Sequence, residues 1–595
     1  ELPWQLLEAE RKSDLRGLLL NVSQLFELAN QREEREVVKY WLAVKGLADR
    51  ELDELIADTF EAELAKREAD ITGQILFINR IADLLHEAGL WRDLLIRMRI
   101  QSLDLHKRSD DRNNIEYLRL LAWVADAYEK AGYRDRAFEV FQQCLEMQSN
   151  LLGPEHPETL NTLMAVARQH RENARYEEAL EMINRILDVR KRLLVSEHPD
   201  TIIALNELSL LYSERGELES ARQIYEECFE MDERLLGREH PYTLTTIGNL
   251  ASLFQDKGDY EQAEAYYTRC LEARERLLGP EHPDTNGTRF SLANLLSDQE
   301  RYDESIPLRR LVLEVAATRD GREAASTLTS IHRLAEDLYW NDGLQESEQL
   351  YREALAGRIT ALGDDDGATM ASRYGLARCL SALERYDEAI ELRRVELAWC
   401  RKENGDRDAG TLTSISALAD DLKANGDPEA AEPLYRECLA GRIETLGNEH
   451  PSTMASRYDL ANCLSSLGNS EEAIELRRIE LAWCQKEKGP DDPDTLFSLH
   501  MLGVDLVDAK QPEAGLELLQ DCLKRQQQLV GNTHERSLRT FARVLDALSD
   551  LERHEEAIAL SESVQQALEA DRGTKDPEVL TQISNQALLH ERLEQ

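Results

Sequence analysis

Aromatic side chains, basic side chains and long apolar runs are all scarce in this 595-residue chain, and each scarcity removes a class of function. Aromatics make up 6% of residues, too few for a bulky globular core, whereas charged residues reach 31%, which suits long solvated helices. Lysine and arginine number 71 against 115 aspartates and glutamates. The resulting formal net charge of −44 argues against a grip on duplex nucleic acid or an anionic membrane, since both want basic surface. It favours a basic partner, or reflects solubility or a salty habitat. No apolar run approaches the roughly 18 residues that a membrane span needs. The chain opens at Glu1 without a signal peptide, as a piece excised from a longer protein would. H-E-x-x-H, a C-x-x-C pair, the elbow G-x-S-x-G and the phosphate loop G-x-x-x-x-G-K-[ST] are missing too. The expectation is a non-enzyme with no catalytic residue, no cofactor and no metal.

What the chain has instead is a period. Ala137, Ala179, Ala221, Ala263, Ser305, Ser347, Ala389, Ala431, Ala473, Gly515 and Ala557 stand 42 residues apart. A parallel track runs through Ala125, Ala167, Ser209, Ala251, Ala293, Ala335, Ala377, Ala419, Ala461 and Gly503. Small residues at one fixed period mark points where helices come too close for anything larger. A chain built this way grows by adding units, so its length does not require division into globular domains. Cys144, Cys228, Cys270, Cys438 and Cys522 share one slot of the repeat, seven residues after the small residue, where Ile186, Val312 or Ala354 stand in other copies. Cys379 with Cys463 and Cys400 with Cys484 also occupy equivalent slots, so all nine read as packing residues. Reduced thiols in a cytoplasmic protein are expected.

The copy from Pro241 to Gly279 shows how one unit is built. Pro241 suits a first helical turn, where its missing N–H costs nothing. Ile247, Leu250, Ala251 and Phe254 follow at three- and four-residue steps, one apolar face of a first helix. Gly258 ends that helix, and Ala263, Tyr267, Cys270 and Leu271 continue the period on a second helix that stops at Gly279-Pro280. Short turns make the pair antiparallel, and neither helix buries its stripe without the next copy.

Ile247-x-x-Leu250-Ala251-x-x-Phe254 with Ala263, Tyr267 and Cys270 resembles the tetratricopeptide repeat in a 42-residue form. The linker Leu277-Leu278-Gly279-Pro280-Glu281-His282-Pro283-Asp284-Thr285 is similar to that of the kinesin-light-chain subgroup. It recurs around His156, His198, His240 and His450 and decays to Gly363-Asp364-Asp365-Asp366 and Asp491-Asp492-Pro493. The resemblance implies an all-α, right-handed superhelical solenoid of about twelve antiparallel helix pairs behind a non-repeating helical N-terminal segment. Residues 1–70 form that junction. Degenerate repeats follow over 71–158, regular ones over 159–284, alternating 84-residue units over 285–536, and a last repeat with a capping helix (Glu578 to Gln595) over 537–595. In the junction, Leu2-Pro3-Trp4-Gln5-Leu6, Leu18 to Leu20, Phe26 and Tyr40-Trp41 resemble the segment before the repeats of nephrocystin-like NACHT proteins. That resemblance implies an ATPase domain upstream of Glu1.

Within the alternating region, Arg289, Arg373 and Arg457 occupy slots that elsewhere hold Leu163, Leu205 or Ile247. An arginine in a packing slot needs an acceptor or a route to water. Asp337, Asp421 and Asp505 each lie 48 residues further on, so either a ladder of half-buried Arg–Asp pairs holds adjacent copies in register or the arginine stems snorkel past unpaired aspartates.

In this repeat family the first helices line the concave face. Positions i and i+4 on that face are Asn206/Leu210, Gly248/Ser252, Phe290/Asn294, His332/Glu336, Tyr374/Arg378, Ser416/Asp420, Tyr458/Asn462 and His500/Val504. Asn249 matches the asparagine that kinesin light chains carry before Leu-Ala, whereas Ala165, Glu207, Arg333, Gly375 and Ala417 do not. An aromatic beside an amide or an arginine in every second copy, with acidic Glu336 and Asp420 between, points to a protein or peptide ligand of aromatic or basic character. Tyrosines packed on their own neighbours would give the same pattern. The slot of Phe290 and Tyr374 holds lysine in the carboxylate-clamp subgroup and never does here, which argues against chaperone C-termini as ligands. His156, His198, His240 and His282 each precede a helix-starting proline in separate linkers, so a role in the turn is expected rather than shared metal coordination.

Overall fold

The computed structural model describes residues 70–87, 93–108, 115–130, 133–194 and 198–572, with short pieces at 60 and 64–66. Nearly all of the 1–70 junction and the closing helix expected from Glu578 to Gln595 lie outside the described residues. Among the described residues there are 24 helices, from Ile71–Glu87 to His554–Arg572, and no strand. None of these helices is long and apolar enough to cross a membrane. The chain forms two compact units, Glu1–Leu295 and Leu296–Gln595. Consecutive helices pack on one another from Ile71–Glu87 to Tyr260–Leu278 in the first unit and from Tyr302–Asp320 to His554–Arg572 in the second, as stacked antiparallel pairs.

The pair Pro241–Asp256 and Tyr260–Leu278 shows the physics of one unit. Its interior is Leu244, Ile247, Leu250, Ala251, Leu253 and Phe254 on the first helix and Ala263, Tyr267, Cys270 and Ala273 on the second. The second helix ends at Gly279, whose φ of 90° lies in the left-handed region that glycine enters without a Cβ penalty. The two small-residue tracks face each other where the helices of a pair cross. A Cβ added at Gly515 would stand 2.6 Å from Val507 Cγ2 and 2.7 Å from the Gly503 carbonyl, and Ser347 Oγ donates to the Ala335 carbonyl at 2.7 Å.

The linker histidines are helix caps. In His156, His198, His240, His282, His450 and His534 the Nδ1 atom accepts a hydrogen bond from the backbone N–H two residues on, at 3.1–3.3 Å. Where the linker decays, Asp366, Asp408 and Asp492 make the same bond at 2.8–2.9 Å. Histidine and aspartate are interchangeable at this slot because each presents an acceptor to the orphan N–H groups of a helix start.

All nine cysteines are free and buried. Cys270, Cys438 and Cys522 donate to carbonyls 26 residues earlier at 3.2–3.3 Å, across to the first helix of their own pair. Burial pushes the Cys144 and Cys522 thiols up to about 12, so these are packing groups and not nucleophiles.

The 84-residue alternation reaches further upstream than residue 285. Arg190, Arg274, Arg358 and Arg442 stand 84 residues apart near the ends of second helices. Each guanidinium donates to the backbone carbonyl ten residues on, at the start of the next first helix (Asp200, Asp284, Ala368 and Ser452). Arg274, Arg358 and Arg442 also reach the hydroxyls of Thr288, Ser372 and Ser456 at 2.7–2.8 Å. This clamp fastens every second junction through a group that stays charged at any ordinary pH.

Candidate binding face of the first helices

One slot of the second helix lies beneath the first-helix face and alternates between two chemistries. It holds Tyr225, Tyr267, Arg309, Tyr351, Arg393, Tyr435 and Arg477 in successive copies. Every one of these side chains is buried. A buried guanidinium requires a counter-charge. Arg309 Nε donates to Asp337 Oδ2 at 2.9 Å, and Arg393 and Arg477 bond Asp421 and Asp505 in the same way. Ser305 and Ser465 supply further donors to these carboxylates, at 2.7 Å to Asp337 and 2.8 Å to Asp505.

The ladder therefore differs from the pairing expected from sequence. Its aspartates meet Arg309, Arg393 and Arg477, not Arg289, Arg373 and Arg457. Arg373 bonds Asp364 at 2.7 Å, Arg457 bonds Asn448 Oδ1 at 2.8 Å, and Arg289 bonds Glu275 at 2.7 Å and Asn286 at 3.3 Å. Helical side chains lean toward the helix N-terminus, which carries these three back to their own linkers and away from the next copy. A signal for the true partners was present: arginine replaces tyrosine at a 42-residue spacing wherever an aspartate follows 28 residues later. Where tyrosine stays, the later residue is Leu253, Leu295, Cys379 or Cys463.

A third position completes the module. Tyr374 covers the Arg393 guanidinium at 5.2 Å and Tyr458 covers Arg477 at 5.1 Å, each 19 residues before its arginine. The tyrosine copies have Asn206, Gly248, His332 or Ser416 at that position. Both tyrosines pack on an intramolecular partner and remain half-buried, so part of each ring still borders the face. Phe497, 40% exposed, tilts against Tyr458 at 5.8 Å between ring centroids.

The remaining candidates divide by access. In the first unit Asn206, Asn249, Phe290 and Asn294 are half-buried, and Asn206 Nδ2 donates to Thr246 Oγ1 at 3.1 Å, tying neighbouring first helices together. In the second unit His332 stands edge-on to Tyr351 at 5.3 Å. Burial, with Arg358, Arg333 and Arg378 adding to it, pushes His332 down to about 3, so it is neutral. Glu336 pairs with Arg333 at 2.8 Å. Asn462 accepts from Arg477 Nη2 at 2.6 Å. His500 is the one candidate removed from the surface: it is buried, bonds Thr540 at 2.9 Å across to the following first helix, and is neutral for the same reason as His332.

Arg378 is held by aromatic rings. Its guanidinium lies 4.3 Å from the Tyr339 centroid and 5.1 Å from that of Trp340, and its Nη2 is 3.5 Å from the Tyr351 hydroxyl. In the same slot one copy later, Asp420 accepts a 2.6 Å hydrogen bond from the Tyr435 hydroxyl. Burial, with Asp420 adding to it, pushes the neighbouring Asp459 carboxyl up to about 6. No cluster of potential metal ligands occurs among the described residues.

A model of the tetratricopeptide repeat family matches residues 116–192, 160–234, 221–276, 242–318, 323–395, 410–478 and 452–528, together more than half of the chain. No curated protein matches. Among solved structures, the nearly identical TPR-like repeats of a candidate kinesin light chain from Podosopora anserina are 30% identical, with 35% of this chain and 98% of that chain covered and a TM-score of 0.32. BtubC (BKLC) from P. vanneervenii is 24% identical over 39% of this chain and 94% of its own, with a TM-score of 0.34. The apo quorum sensor NprR from B. thuringiensis is 13% identical over 64% and 99%, with a TM-score of 0.45. At these scores the similarities carry no argument about function.

Proposed function

The chain belongs to the tetratricopeptide repeat family, and from that membership we propose that it is a non-enzymatic scaffold binding a protein or peptide along its first helices. The observation that carries this reading is the pair Tyr374 and Tyr458. Each ring is fixed from below by a buried guanidinium and borders the face above, which lowers the entropy cost of a ring meeting a ligand. Half-buried Asn294 and Asn462 beside the aromatic slots add groups able to bond a peptide backbone. Alanine at both Tyr374 and Tyr458 should weaken capture of a partner in pull-downs with the purified chain; unchanged capture would place the site elsewhere.

The finer role we propose is the ligand-sensing arm of a nephrocystin-like NACHT ATPase. It rests on the resemblance of Leu2 to Trp41 and on nothing in the described residues. The alternative is a free-standing kinesin-light-chain-like adaptor that bridges two proteins, a reading supported by the linker Leu277 to Thr285. Nine buried free thiols suit the cytoplasm in either case. Reading the coding DNA upstream of Glu1 decides between them: a phosphate-loop domain supports the sensor, and a nearby start codon supports the adaptor.

A further inference from the structure

Resting on the peptide-binding reading above, we propose that the first-helix face of the second unit fixes the direction of its ligand by charge. A basic side chain of the bound segment seats between Asp420 and Asp459, and an acidic side chain lies one copy away at Arg378.

The argument begins with slots. Asp420 and Asp459 stand 39 residues apart on neighbouring first helices, Ala409–Ala424 and Pro451–Ser466. The equivalent slots 252 residues upstream hold Arg168 and Glu207, which bond at 3.2 Å. The same geometry here opposes two carboxylates. Asp420 is exposed and has its Tyr435 hydrogen bond, whereas Asp459 is half-buried and makes neither a hydrogen bond nor an ion pair. The nearest cations, Arg442, Lys423 and Arg393, form no ion pair with either carboxylate, and Arg393 is committed to Asp421. Arg442 is engaged with Ser452 and Ser456, and Lys423 forms no ion pair. Two facing carboxylates repel each other, and a guanidinium or ammonium placed between them removes that repulsion.

Arg378 supplies the opposite sign. The chain carries a net charge of −44, yet Arg378 has no carboxylate within ion-pair distance. Stacking on Tyr339 and on Trp340, which is 53% exposed, holds its fork in place. A planar guanidinium held this way is preorganised for a carboxylate. Glu336, Arg378 and Asp420 occupy one slot in consecutive copies. Glu336 already pairs with Arg333, so the polarity runs from Arg378 to Asp420, about one helix-packing distance or roughly 10 Å away. An extended chain covers that in about three residues. The ligand should therefore carry its acidic and basic residues two to four positions apart, in one fixed order, with apolar or aromatic residues reaching Tyr374, Tyr458 and Phe497.

The probe is a random phage-displayed dodecapeptide library, selected on the full chain. Enriched peptides are then labelled and titrated by fluorescence anisotropy. Four proteins are compared: the unmodified chain, Arg378→Glu, Asp459→Lys, and Ser416→Trp as a steric block in a slot where other copies already carry tyrosine. Far-UV circular dichroism checks that each is folded. The expected result is one shared charge order among enriched peptides, and at least tenfold weaker binding to each variant. Replacing the acidic residue of the peptide by lysine should restore binding to Arg378→Glu at least tenfold over the unmodified chain. Peptides that lose binding on Ser416→Trp but ignore both charge reversals would overturn the charge order and leave the peptide-binding reading standing. Peptides indifferent to Ser416→Trp, or no enrichment at all, would overturn both.

Discussion

The three-position module Tyr374–Arg393–Asp421 can be exchanged for the one its neighbour uses, Ser416–Tyr435–Cys463. Arg393 and Asp421 are 5% and 4% exposed, so replacing the aspartate alone strands a guanidinium in the packed interior. Removing one partner of such a pair typically costs about 3–5 kcal/mol, because a buried charge is left uncompensated. Asp421→Cys should therefore destabilise the second unit by about that amount. Moving all three residues to Ser, Tyr and Cys removes the charge together with its partner and should return stability to within about 1 kcal/mol of the parent, as apolar replacements of whole buried pairs do. Repeat arrays open locally, so native-state hydrogen exchange of the amides in Tyr386–Glu403 and Ala409–Ala424 is the suitable assay, with urea unfolding alongside. A loss below about 1 kcal/mol for Asp421→Cys, or a triple variant no more stable than the single one, would refute the reasoning.

Two titrations have opposite signs. Asp459 has its folded carboxyl raised to about 6 from the ordinary 3.8, so its contribution is favourable below about pH 4 and is lost as pH rises through 6. Asp459→Asn should stabilise the chain at pH 7, by at most about 3 kcal/mol, with the gain gone by pH 4; urea midpoints at the two pH values measure it. His500 is pushed down to about 4 from 6.5 by burial, then by Arg543, Arg539 and Arg477, so the folded state loses stability as pH falls from 6.5 toward 4. His500→Gln, which keeps an acceptor for Thr540, should flatten that fall in the same urea series, by about 1.4 kcal/mol per pH unit.

The scaffold was legible because it is written twelve times over. Small residues at a 42-residue spacing and the apolar steps of Ile247 to Phe254 specify stacked helix pairs through sterics alone, and the helices Pro241–Asp256 and Tyr260–Leu278 follow that pattern. The ion-pair ladder was only half legible. An aspartate in a packing slot announces that a cation is near, but which arginine arrives depends on side-chain direction, and Arg373 turns back to Asp364 while Arg393 crosses to Asp421. Likewise the i and i+4 rule places His500 on the same face as Tyr458, yet the following first helix covers it. The Arg378 frame was invisible for a third reason: Tyr339, Trp340 and Tyr351 come from a different helix pair, so no local spacing brings them together.

The most direct test of the first-helix face as the binding site is photo-crosslinking. A library-selected peptide carrying benzoylphenylalanine, irradiated on the full chain and mapped by mass spectrometry, should mark residues 374–378, 416–420, 458–462 and Phe497. Crosslinks concentrated on the linkers or on the outer faces of the second helices would contradict it.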